Sequence, residues 1–160
     1  MPRDIIRIGR LRLDLDGVDE AWPSTAVGQA KLLHRWGLST SPVEALWVIA
    51  YDLNASIRTV VEVARGDLRA VSGHMPSLLG AVLTSGCERF MISHNHPAGV
   101  VVPSQGDIQL TLEVKNAANT CGLWFEDHLI TGPRGEMFSF RDNGLLFAED
   151  YARSEHHQMG

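Results

Sequence analysis

The stretch Phe90-Met91-Ile92-Ser93-His94-Asn95-His96-Pro97-Ala98-Gly99 joins a short apolar run to a Pro/Gly turn, with two histidines at the junction. Phe90 to Ile92 reads as a buried strand, and Pro97 and Gly99 turn the chain after it. If the backbone stays extended through His96, the two-residue period of a strand points both imidazoles the same way, within reach of one ion. Val100 to Pro103 then lead into Ser104-Gln105-Gly106-Asp107, where apolar residues at 110, 114, 117, 118 and 121 and a closing Gly122 predict a helix over 104–121. Asp107 falls on the first turn of that helix, from which its carboxylate can return to the two histidines.

Each part has a simpler reading. An isolated His-x-His pair is commonly surface or hydrogen-bonding histidine, and Ser104-x-x-Asp107 makes a good helix start by itself, a capping box with Asp where Glu is usual. Capping needs alone do not call for a strand-end His-x-His, a Pro/Gly turn and a Ser-x-x-Asp start in succession. Together they predict a metal site with His94, His96 and Asp107 as ligands. Three protein ligands with one position left for water is the arrangement of a catalytic zinc, whereas structural zinc sites close with four ligands and favour Cys. One Zn2+ per chain is expected.

Outward from this segment, Ala45 to Leu53 and Ile57 to Val63 are apolar runs rich in β-branched residues, joined through Asp52-Leu53-Asn54-Ala55-Ser56, and predict an antiparallel pair. Pro23-Ser24-Thr25 and Gly37 bracket a helix over 25–36. Pro76 to Ser85 predicts a second helix ending at Gly86, with Leu78, Leu79, Val82 and Leu83 on one side. Leu123 to Thr131 and Met137 to Phe140 predict strands around the turn at 132–135. Ile6 to Leu15 alternates with a slip at Gly9 and reads as a bulged strand or a hairpin, and Gly66 to Gly73 as a loop. The expected fold is a single α/β, sandwich-like domain with a central mixed, largely antiparallel sheet flanked by helices. The expected division is an N-terminal strand and helix extension over 1–40, the main domain over 41–147, and a polar tail over 148–160.

The chain has 160 residues, 44% hydrophobic and 21% charged, which suits one soluble domain with a sizeable core. A net charge of -5 gives no general support for DNA as a partner, since phosphate binding needs clustered Lys and Arg. The stretch from Arg3 to Arg12 carries four Arg among Ile and Leu and reads as an exposed strand face. Cys87 and Cys121 match no paired metal spacing and are expected as reduced core residues; with no apolar N-terminal run and no membrane-spanning stretch, the expected location is the cytoplasm. Trp22, Trp36, Trp47 and Trp124 are expected to serve packing. Glu126, Asp127 and His128 interrupt an apolar strand; either one carboxylate orients a metal-bound imidazole, or the three form an exposed face with His128 half-buried. His34, His74, His156 and His157 lack ligand spacing. The Val100-Val101-Val102 run is either an exposed docking patch or a covered turn. A zinc nucleoside deaminase is excluded because no PCxxC supplies thiolates.

The spacing of His-x-His, seven residues, Ser, two residues, Asp resembles that of JAMM (MPN+) metalloproteases. HNHPAG followed by PSQGD is similar specifically to the RadC-type JAB branch. The resemblance runs from about Ser41 to Leu146, with VEALWVIAYDLNASI matching the opening strand pair and FEDHLITG with MFSF the closing strands. It departs at Val100 to Val102, where members are commonly more polar, and in lacking a counterpart of the helix-hairpin-helix module often found ahead of the domain. The resemblance implies a JAB/MPN, cytidine-deaminase-like fold and a zinc held by the two His and the Asp. It further implies that Glu44 activates the bound water and that Ser104 donates to a developing oxyanion. By itself Glu44 reads as a solvated residue at a strand entrance. The implied activity is a zinc metallopeptidase acting on a peptide or protein-conjugate substrate. The family also raises two other roles: a DNA-repair-associated accessory protein, and a non-enzymatic MPN interaction module, which retention of all ligands disfavours.

Overall fold

A computed structural model describes residues 21–66 and 74–146. The expected strand or hairpin at Ile6 to Leu15, the tail over 148–160, and most of the loop ending at Gly73 lie outside the described residues. The element order is α1 (Ala26–Arg35), β1 (Ala45–Tyr51), β2 (Ile57–Arg65), α2 (Met75–Ser85), β3 (Arg89–Asn95), α3 (Gln105–Cys121), β4 (Trp124–Thr131) and β5 (Met137–Ser139). The strands form a five-stranded sheet in the order β2-β1-β3-β4-β5. Only β3 and β4 run parallel, joined by the crossover helix α3, and the other neighbours are antiparallel. The mixed, largely antiparallel sheet with flanking helices is the fold the sequence predicts.

The helices cover both faces. Leu78 and Val82 of α2 and Leu110, Val114 and Ala118 of α3 pack on one face against Leu46, Val48, Phe90, Ile92 and Ile130. Leu32 and Leu33 of α1 pack on the other against Trp47, Ile49, Met91 and Leu129. Strand β1 lies between two neighbours and under both layers, so all seven of its residues are buried. Its sequence is accordingly a continuous apolar run and not an alternation. It ends at Tyr51, short of the expected Leu53, because Asp52 Oδ1 accepts the N–H groups of Asn54 and Ser56 at 2.9 and 3.0 Å and tightens the hairpin.

Several packing expectations are corrected. Cys87 is buried but Cys121 is exposed at the last residue of α3, beyond the stripe set by Leu110, Val114 and Ala118. Trp124 is 67% exposed at the start of β4, unlike Trp22 and Trp47 in the core. Leu83 is also exposed, since only Leu78, Ala81 and Val82 of α2 face the sheet fully. No helix among the described residues is long and apolar enough to cross a membrane.

Candidate metal centre

Strand β3 carries the site at its C-terminal end. His94 pairs with Leu46 across the β1 ladder and lies on the face covered by α3. His96 follows two residues later, just past the strand, where its backbone N–H donates to the Thr131 carbonyl at 2.8 Å. A turn closed by Gly99 N–H to the His96 carbonyl at 2.9 Å then reverses the chain, with Gly99 at φ +82°, a conformation available to glycine at little cost. The loop delivers Ser104 to the N-cap of α3. Its hydroxyl accepts the Asp107 N–H at 3.1 Å, and Asp107 Oδ2 accepts the Ser104 N–H at 2.8 Å. The capping reading of Ser-x-x-Asp therefore holds. It also serves the site, because the reciprocal bonds fix the Asp107 carboxylate against both histidines.

Two imidazole nitrogens and two carboxylates converge here. His94 Nε2 lies 2.9 Å from His96 Nε2, 3.1 Å from Asp107 Oδ1 and 3.7 Å from Glu44 Oε1. His96 Nε2 lies 3.4 Å from Asp107 Oδ2 and 3.9 Å from Glu44 Oε1. One ligand atom from each of the four residues falls within 4.8 Å of the others, and among the described residues no second such group occurs. The three expected ligands and Glu44 are thus brought together, while His34 and His74 stand outside the cluster.

The chemistry of these donors fits a cation. His96 Nδ1 lies 2.6 Å from the Val100 carbonyl, which can only accept, so Nδ1 carries the proton and Nε2 of the neutral ring presents its lone pair inward. That lone pair meets a second imidazole nitrogen and a carboxylate, an arrangement that repels unless positive charge sits among them. Burial pushes the Asp107 carboxyl up, but its pairing with His94 and His96 outweighs this when no cation is bound and a proton on an inward ring nitrogen stands in for one, and holds the group well below the usual carboxylate range. Hydrogen bonding to Asp107 conversely raises the His96 pKa when no cation is bound, so a cation that takes up the Nε2 lone pair displaces a proton there. The cluster could hold a metal ion: His94, His96 and Asp107 are the firmly placed candidate ligands, and Glu44 sits at the solvent-facing side with its side chain 36% exposed.

Asn95, between the two histidines, points to the opposite face of the sheet. Its Oδ1 accepts the Ala45 N–H at 2.9 Å and its Nδ2 donates to the Ser41 and Val43 carbonyls at 3.0 and 3.2 Å. The Glu44 carbonyl accepts the Gly66 N–H at 2.7 Å. Glu44 is therefore held from both sides through its own backbone and its neighbours. Sequence reasoning missed Asn95; the signal was an amide at the buried position of a strand-end His-x-His.

The cluster at 126–128 divides its roles. Glu126 binds Tyr51 and Arg89 at the far end of the sheet. Asp127 accepts the Ser139 hydroxyl and the backbone N–H groups of Arg141 and His128, so it secures β5 and the following turn. Neither carboxylate touches a metal-site imidazole, and His128 is fully buried instead of half-exposed, with its Nε2 2.7 Å from His94 Nδ1. Burial holds the His128 pKa well below the ordinary imidazole value. Of the valine run, Val100 and Val102 are exposed while Val101 packs on the core, and Val43 beside Glu44 is also exposed.

This is an α/β domain whose central strand ends at a His/His/Asp/Glu cluster suited to a cation. A family profile described as RadC-like JAB domain matches residues 25–145, and the chain belongs to that family. A UPF0758 protein of Porphyromonas gingivalis is 36% identical over 109 residues, covering 68% of this chain and 48% of the relative. UPF0758 proteins of Shewanella amazonensis and Rhodobacter capsulatus are each 34% identical, covering 70% and 66% of this chain and 49% of their own lengths. The chain spans about half the length of the curated relatives it matches.

Proposed function

We propose that this domain is a zinc-dependent hydrolase of peptide or isopeptide bonds. The observation that carries the reading is the convergence of Glu44, His94, His96 and Asp107 on one point, with the Glu on the open side. Zinc, when bound, would supply Lewis acidity toward the scissile carbonyl and lower the pKa of a water to about 7. Glu44, whose Oε1 lies 3.7 and 3.9 Å from the two imidazole nitrogens, is placed to take the proton from the attacking water. It then returns that proton to the departing amine, acting first as base and then as acid. His96 is kept in one tautomer by the Val100 carbonyl, and Asp107 in one orientation by the helix cap.

Ser104 has a further part. Capping uses a lone pair of its hydroxyl, accepting from Asp107 N–H, and leaves the O–H free to donate. The residue is exposed beside the metal ligands, which supports donation to a developing oxyanion. The exposed Val100 and Val102, in the loop between His96 and Ser104, favour substrates with apolar side chains near the cleaved bond.

The test compares wild-type protein with Glu44→Gln on a peptide and isopeptide library. The variant is expected to bind zinc as wild type does and to lose hydrolysis about 10²- to 10⁴-fold. Equal hydrolysis by the two proteins removes Glu44 from the mechanism.

A further inference from the structure

We infer that His128 and Thr111 are a positioning pair that fixes the proton on His94 and so aims its Nε2 lone pair at the metal. The inference rests on the metal-centre reading and assigns roles to two residues outside the ligand set. Thr111 Oγ1 lies 2.7 Å from the Asp107 backbone carbonyl and 2.7 Å from His128 Nδ1, and His128 Nε2 lies 2.7 Å from His94 Nδ1. All three side chains are at most 1% exposed, and among the described residues the His128 ring has no other polar partner.

The direction of every bond follows from one fixed end. A carbonyl oxygen can only accept, so the single hydroxyl proton of Thr111 goes to Asp107. Thr111 Oγ1 must then accept from His128, which places the His128 proton on Nδ1. A fully buried imidazole with no carboxylate against it stays neutral, so His128 Nε2 is bare and accepts from His94. His94 therefore carries its proton on Nδ1 and turns Nε2 inward, where His96 Nε2 stands 2.9 Å away. The Val100 carbonyl sets the same tautomer for His96. Thus both imidazoles are prepared as ligands before any ion arrives, one by a loop carbonyl and the other by a buried relay.

The relay also ties two ligands to each other, since it begins on the backbone of Asp107 and ends on the ring of His94. Phe140 stacks on the His128 ring, with centroids 4.8 Å apart and planes 6° apart, and prevents it from turning over. Thr111 stands one helical turn after Asp107, and this i, i+4 spacing is what lets one hydroxyl reach the Asp107 carbonyl and the strand histidine together.

Two measurements on the whole chain test this. The first is zinc affinity by competition with a chromophoric chelator, for wild type, Thr111→Val and Thr111→Ser. Valine keeps the shape and removes the hydroxyl, and is expected to weaken zinc about 10- to 100-fold, while serine restores most of the affinity. Wild-type affinity in a folded Thr111→Val protein overturns the inference. The second is long-range 1H–15N NMR of metal-free wild type, which needs no variant to fold. It is expected to find His128 neutral with its proton on Nδ1; a proton on Nε2 overturns the inference. A wild-type chain that binds no zinc defeats the metal-centre reading instead, and is distinguished by the first titration.

Discussion

Asn95 Oδ1 accepts the backbone N–H of Ala45 at 2.9 Å, linking the residue between the two histidines to the residue after Glu44. The same amide donates to the Ser41 and Val43 carbonyls, so a buried side chain on one face of the sheet sets the position of a carboxylate on the other. Asn95→Asp keeps the acceptor for Ala45 but turns a second carboxylate oxygen toward two carbonyls. It is expected to cost about 1 to 3 kcal/mol, by the penalty for buried polar groups without partners. Hydrolysis is expected to fall more than zinc content, because the ligands stay and Glu44 moves. Chemical denaturation, metal analysis and peptide hydrolysis on the same preparation check this ordering.

Ser104 is assigned two jobs that substitution can separate. Alanine at the N-cap is expected to cost about 1 kcal/mol and glycine only a few tenths, whereas neither offers a hydroxyl proton. Ser104→Gly and Ser104→Ala should therefore differ in melting temperature and agree in a reduced hydrolysis rate. Activity that follows stability across the pair would reduce Ser104 to a cap.

Asp127 gives a pH dependence whose sign can be worked out. Burial raises its carboxyl above the ordinary value despite hydrogen bonds from Ser139 and the Arg141 and His128 backbone. The folded state thus binds the proton more tightly than the unfolded state. The resulting penalty is absent below the unfolded pKa of about 3.9 and complete above the raised folded one. Asp127→Asn has no such titration. The stability of Asp127→Asn relative to wild type should rise as pH increases through that window, measured by denaturant unfolding at a series of pH values.

Much of this was legible in the sequence, and for identifiable reasons. The strand into His94, the turn at Pro97 and Gly99 and the helix at Ser104 are local patterns, each set by residues within a few positions. The continuous apolar run of β1 and the cap of α3 likewise announce themselves. What stayed hidden depends on contacts between distant segments: Asn95 reaches Ala45 fifty residues back. His128 reads as one polar residue in a triplet until β3 and β4 are set side by side. Only then does the imidazole, and not a neighbouring carboxylate, prove to touch His94. Trp124 and Cys121 misled for a related reason. Both residue types favour burial, but one begins an element and the other ends one, where the covering layer stops.

The central claim, that His94, His96 and Asp107 are assembled to hold one divalent cation with Glu44 on its open side, is tested most directly by the metal content of purified wild type beside His96→Ala and Asp107→Ala. The arrangement predicts about one zinc per chain in wild type, in keeping with a single site, and its loss from both variants while they remain folded by circular dichroism. Folded wild-type protein that takes up no zinc from a stoichiometric solution, or variants that retain it fully, would contradict the account.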